Sequence, residues 1–108
     1  MSQWIDVCSV DDLVADAGIC AWVGQRQIAI FSLPKINRVF AVDNLDPFSG
    51  AQVLSRGMVG DLGGIPMIAS PMYKQHFNLE TGQCFEDQTL KIAVYPLRIH
   101  QSRIEISF

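Results

Sequence analysis

The side chains here that could hold a metal or attack a substrate are few: Cys8, Cys20, Cys84, His76, His100 and the carboxylates. A soft-metal site needs two thiolates brought together by short spacing, and no Cys-x-x-Cys pair exists. The three cysteines fall in or near expected strands, where they read as small buried side chains rather than reactive thiols. Cys84 and His76 would be nucleophile and base only if something unrelated to their spacing joined them. If Phe77 points inward, His76 beside it points outward across the same strand; His100 adjoins a turn. Asp11, Asp12 and Asp16 lack the closely alternating pattern of a calcium loop and read as a solvated face. Gly60-Asp61-Leu62-Gly63-Gly64 lacks the helix and lysine of a phosphate loop and reads as a hairpin turn. No acid–base or nucleophile pair emerges, so an independent enzyme is the weakest functional class.

The elements that would position these residues follow from pattern and length. With 108 residues, 49% of them hydrophobic, the chain is expected to be one domain over 1–108. Such a domain buries about 65% of its extended surface and folds without staples. Eight basic against 11 acidic residues give a net charge of −3, which argues against a phosphate-backbone binder and hence against nucleic acid as partner. Three cysteines that cannot all pair fit a reducing compartment, so the expected location is cytoplasmic. The start of the chain lacks a leader pattern and no apolar run is long enough to span a bilayer, so neither export nor a membrane partner is expected.

Apolar residues recur in short runs or with period two: Ile19, Ala21 and Val23; Ile28 and Ile30; Val39 and Ala41; Ile104, Ile106 and Phe108. These spacings predict strands. Turn signals separate them at Gly24-Gln25-Arg26, Pro34-Lys35-Ile36-Asn37, Leu62-Gly63-Gly64, Glu80-Thr81-Gly82 and His100-Gln101-Ser102. The fold class is therefore all-β: an antiparallel sandwich or barrel of short strands, with at most one short helix. That helix is predicted over Ser9–Ala17, capped by Ser9 and stopped by Gly18. Asn44–Gly57, carrying Pro47 and Gly50, predicts a long ordered loop. Ser70-Pro71-Met72-Tyr73-Lys74 predicts a second, so that two loops meet at one end.

An ordered series now carries a resemblance: Phe40-Ala41-Val42-Asp43-Asn44 entering the first loop, Leu54-Ser55-Arg56-Gly57, Ala69-Ser70-Pro71, Phe77-Asn78-Leu79 with Thr81-Gly82, and Tyr95-Pro96-Leu97-Arg98-Ile99. This series resembles the Rieske-type ferredoxin domain from about Trp4 onward. In cluster-bearing members each loop supplies one Cys and one His, so that two thiolates hold one iron and two imidazoles the other. The resemblance places Asp46 and Phe48, then Ser70 and Tyr73, at those positions, none of them a suitable donor. It implies that the fold is kept and the cluster lost.

Asp46-Pro47-Phe48, Val53-Leu54-Ser55-Arg56-Gly57 and Ser70-Pro71 with Lys74-Gln75 and Phe77 further resemble the small subunits of bacterial NAD(P)H-dependent nitrite reductases. Tyr73 and His76 depart from that pattern, standing where a basic residue and an arginine are usual. The resemblance implies an accessory chain, without catalytic or cofactor-binding residues of its own. Its partner would be the large subunit that reduces nitrite to ammonium with FAD, an iron–sulfur cluster and sirohaem. Two other readings compete: a stand-alone binding module on the same fold, and an electron carrier whose cluster has unusual ligands.

Phe48, Met72 and Tyr73 at the loop tips either brace the loops against each other or face a partner. Arg56, Lys74 and Gln75 would then add a polar rim to the same patch. Trp4 and Trp22 are expected in the core, an exposed Trp22 being instead a hot-spot candidate.

Overall fold

A computed structural model describes residues 3–72 and 74–107; Tyr73 and Phe108, both assigned roles above, lie outside the described residues. Among the described residues ten strands form in chain order: β1 (Trp4–Ser9), β2 (Ala17–Val23), β3 (Arg26–Leu33), β4 (Arg38–Asp43), β5 (Met58–Leu62), β6 (Ile65–Ala69), β7 (His76–Asn78), β8 (Val94–Tyr95), β9 (Leu97–His100) and β10 (Arg103–Ser107). They make a central sheet β2-β3-β4-β8, a terminal sheet β1-β10-β9 and a loop sheet β5-β6-β7, with every neighbouring pair antiparallel. The accessible surface, 6237 Å², matches the value of about 6,000 Å² that mass scaling gives for a folded chain of this size.

Strand β3 explains how three sheets share one framework. Its successive side chains point to opposite faces: Ile28 and Ile30 join Cys8, Ala21, Ala41, Ile104 and Ile106 beneath the terminal sheet. Ala29 and Phe31 join Leu33, Phe40, Val42, Leu54, Ile68, Phe77 and Leu79 beneath the loop sheet. The run Ile28–Phe31 is fully buried because both faces of the central sheet are covered. After β8 pairs with β4, Pro96 ends the pairing and the chain continues into β9 of the terminal sheet.

The tight hairpins fall at the expected turns. Gly63 (φ 60°) and Gly64 (φ 87°) join β5 to β6, supplying the two left-handed residues that such a two-residue connection requires. The β9–β10 turn uses Gln101 (φ 51°) and Ser102 (φ 64°) for the same purpose, at a steric cost glycine avoids.

The expected helix over Ser9–Ala17 does not form. Its start is correct: Ser9 Oγ accepts from the Asp11 N–H (3.1 Å), and Asp12 Oδ2 accepts from the Ser9 N–H (2.9 Å). This capping box closes only a 3-10 turn, Val10–Asp12. Nine residues with one nucleating turn cannot repay helix initiation, and Leu13 turns extended, where it packs against the terminal-sheet core. Gly18, the expected stop signal, instead lies inside β2 opposite Phe31.

Neither tryptophan is buried. Trp22 is 63% exposed on β2, an edge strand, and Trp4 is 38% exposed with the Arg98 guanidinium 4.5 Å above its ring.

Candidate functional site

The two predicted loops leave different sheets and meet. The first runs from the end of β4 to the start of β5, residues 44–57; the second runs from β6 to β7, residues 70–75. Asn44, 1% exposed, anchors the first. Its Oδ1 accepts from the Ser55 N–H (2.7 Å), its carbonyl accepts from the Leu54 N–H (3.0 Å), and its Nδ2 donates to Gln27 Oε1 (3.0 Å). A single buried amide thus ties both ends of the loop to β3. At the far end, a Cβ on Gly57 would lie 2.2 Å from the Ala69 carbonyl oxygen, so only glycine lets the loop rejoin the sheet this close to β6.

Each loop is organised by one residue, and the two use the same bonding scheme. Asp46 Oδ1 accepts from the Phe48 N–H (2.9 Å), its carbonyl from the Gly50 N–H (2.8 Å), and its own N–H donates to the Ala51 carbonyl (2.8 Å). Ser70 Oγ accepts from the Met72 N–H (3.3 Å), its carbonyl from the Lys74 N–H (3.0 Å), and its own N–H donates to the Gln75 carbonyl (2.9 Å). The offsets are identical, a proline follows each organising residue, and the fourth residue after each is left-handed: Gly50 at φ 75°, Lys74 at φ 63°.

The two organising residues also bond to each other. Ser70 Oγ donates to Asp46 Oδ2 at 2.5 Å, with Asp46 fully buried and Ser70 1% exposed. Every polar atom of this pair has a partner, as a buried polar group requires. Beside it the half-buried Phe48 ring packs on the loop-sheet core, 6.4 Å and 53° from Phe77.

At the base of the second loop, His76 Nδ1 lies 2.5 Å from Glu86 Oε2, and the His76 N–H donates to Glu86 Oε1 (2.7 Å). Partial burial pushes the Glu86 carboxyl up, but the bonds from His76 outweigh it and hold the group below the usual carboxylate range. Cys84 Sγ approaches the same carboxylate at 3.7 Å. Burial raises the Cys84 thiol pKa, so this arrangement disfavours the thiolate a nucleophile needs.

Of the expected surface residues, Arg56, Met72 (51% exposed) and Lys74 are exposed, and Gln75 is half-buried. Among the described residues the buried Gln75 Oε1 has no hydrogen-bond partner. Phe48 has its ring against the core, which favours the bracing alternative. Cys8 and Cys84 are buried as expected, whereas Cys20 is exposed, accepting from Asn44 Nδ2 (3.6 Å) and donating to Gln27 Oε1 (3.4 Å). Reading the sequence missed Asn44 and Gln27. An Asn at the junction of a strand and a long loop is the signal that could have found the first.

Two like-folded loops, carried by an antiparallel β framework and meeting at one end, are the architecture of a Rieske-type domain. The family model described as Rieske-like [2Fe-2S] domain matches residues 3–107. The nitrite reductase (NADH) small subunit of Escherichia coli K12 is 40% identical over 106 residues, 98% of both chains. The nitrite reductase [NAD(P)H] large subunit of Klebsiella oxytoca is 39% identical over 101 residues, 94% of this chain but 10% of that one. The solution structure of the nitrite reductase [NAD(P)H] small subunit from Erwinia carotovora superposes with a TM-score of 0.83 at 42% identity, covering all of this chain and 83% of that one. This chain belongs to the Rieske-like [2Fe-2S] domain family and, within it, to the nitrite reductase small subunits.

Proposed function

We propose that the chain, acting as one unit over residues 1–108, is the non-catalytic small subunit of a cytoplasmic NAD(P)H-dependent nitrite reductase. It docks on the large subunit that reduces nitrite to ammonium and carries FAD, an iron–sulfur cluster and sirohaem. The observation that carries this reading is the match to a small subunit along 98% of both chains. The Klebsiella large subunit supports the partner: a segment like this chain is covalently part of it. Fusing a domain to its partner raises its effective concentration there without changing what it binds.

The residues at the loop junction do not fit a [2Fe-2S] cluster. Such a cluster takes thiolate or imidazole donors. Here Asp46 is committed through both oxygens, to Phe48 and Ser70, and the Ser70 hydroxyl is spent on Asp46 and Met72. Phe48 has no lone pair, and Tyr73 would offer one phenol oxygen. Among the described residues no three His, Cys, Asp or Glu side chains converge as a metal site. On the donor chemistry of Asp46, Phe48, Ser70 and Tyr73 we assign the chain a positional rather than a redox contribution.

The docking face we assign is the loop tips, with Met72 at the centre, Arg56, Lys74 and Gln75 at the rim and Phe48 beneath as support; Tyr73, next to Met72 in the sequence, is expected to contribute to it. Within residues 44–57 and 70–75 the exposed charges are Arg56 and Lys74, both basic, on a chain of net charge −3. A partner surface with an acidic rim complements them.

Co-expression with the large subunit tests both statements. The wild-type chain is expected to copurify with nitrite-dependent NADH oxidation, and Met72→Asp with Lys74→Glu to weaken the association at least about tenfold. Full activity and stability of the large subunit alone, unaltered by adding this chain, would overturn the reading.

A further inference from the structure

We propose that the Asp46–Ser70 hydrogen bond does the mechanical work that a metal cluster does elsewhere in the family: it clasps the two loops into one rigid tip. This rests on the cluster-free reading above, and it assigns positioning roles to two residues that touch no substrate or cofactor.

Three observations converge on the clasp. Asp46 and Ser70 are each the residue around which their own loop is wound, so a bond between them joins the centres of both loops rather than their edges. The bond is buried on both sides, so water cannot replace it at no cost. Its donors and acceptors are also complementary without a shared proton: Asp46 only accepts, from Phe48 and Ser70, while Ser70 donates its single hydrogen to Asp46 and accepts from Met72. Losing either side chain leaves the other buried and short of a partner, and that deficit falls on the opposite loop.

The consequence is mutual dependence: each loop is ordered only while the other is. The exposed residues on either side of the clasp, Pro47 and Met72, are then held at a fixed separation, as a preformed docking tip needs.

Amide hydrogen exchange on the full chain tests this by reading the loop that was not altered. Ser70→Ala leaves every first-loop atom in place, yet exchange at the Phe48 and Gly50 amides is expected to accelerate about tenfold. Ser70→Thr, which keeps the hydroxyl, is expected to restore slow exchange. In the reciprocal arm, Asp46→Ala is read at Met72 and Lys74, where the same acceleration is expected. Asp46→Asn keeps the acceptor for the Phe48 N–H but turns an N–H donor toward the Ser70 hydroxyl, whose hydrogen then lacks an acceptor, so exchange at Met72 and Lys74 is expected to accelerate with Asp46→Asn as well. Acceleration confined to the substituted loop in either arm would overturn the clasp, as would Asp46→Asn leaving exchange at Met72 and Lys74 at the wild-type rate. Iron content separates the two levels of inference. Stoichiometric iron in the wild-type chain would overturn the cluster-free reading itself, whereas independent loops in an iron-free chain would overturn only the clasp.

Discussion

The two faces of β3 are closed by different means. Beneath the terminal sheet the interior is a continuous apolar layer, Cys8, Ala21, Ile28, Ile30, Ala41, Ile104 and Ile106. On the other face a similar apolar layer is capped by buried polar residues, Asn44, Asp46 and Ser70, which make up most of the buried polar residues described. Strand pairing supplies the backbone partners on the terminal side, where β1, β10 and β9 pair antiparallel with a single register shift between Asp6 and Cys8. On the loop side the chain leaves the sheets, so side chains must supply what a ladder would. Buried polarity therefore marks where the fold departs from regular structure in order to shape a tip.

The largest effects should erase the similarity of the two apolar layers. Ile30→Ala and Phe31→Ala truncate adjacent, fully buried residues on opposite faces of β3, and are expected to cost about 2–5 and about 3–5 kcal/mol respectively in urea unfolding. A much smaller loss for Phe31→Ala would mean that the loop side is loosely packed. Phe48→Ala sharpens the contrast at the tip: a half-buried ring against Phe77 is worth about 1–2 kcal/mol. The drop should appear in thermal unfolding more strongly than in partner affinity.

Smaller still, glycine at strained left-handed positions should stabilise. Lys74→Gly in the second loop and Ser102→Gly in the β9–β10 turn each remove a Cβ from positive φ, for a gain of about 0.5–1 kcal/mol. Equal gains would show that the loop backbone is held as firmly as a hairpin. Smallest is the pH effect at the loop base. Glu86 is held below its ordinary value of 4.5. Its contribution is therefore present above that value and is lost as pH falls through the lower, folded-state value. With the carboxylate half exposed, this amounts to less than about 1 kcal/mol. Glu86→Gln should be slightly less stable than wild type near neutrality, with the difference vanishing in acid.

The apolar alternation in Ile104 and Ile106, the paired glycines at 63 and 64, and the Pro47 and Pro71 loops were legible because each is a local rule acting on neighbouring residues. The helix start was legible for the same reason, in Ser9 and Asp12, but its failure was not. What draws Leu13 away is tertiary packing on residues distant in sequence. Trp22 misled because edge position on β2, not side-chain type, sets its exposure. The likeness of the two loops was hidden because different residues perform the same step: Asp46 and Ser70 both accept from the amide two residues on, and Gly50 and Lys74 both turn left-handed. Resemblance to a known family singled out Asp46, Phe48, Ser70 and Tyr73 within those loops; local patterns alone would have stopped at a β sandwich with two loops.

Metal analysis of the chain purified without oxygen tests the central claim most directly. Trace iron, no visible absorbance and an unfolding temperature indifferent to chelator and reductant are expected of loops held by Asp46 and Ser70. Two irons per chain with absorbance bleached by dithionite, together with collapse on chelation, would contradict it.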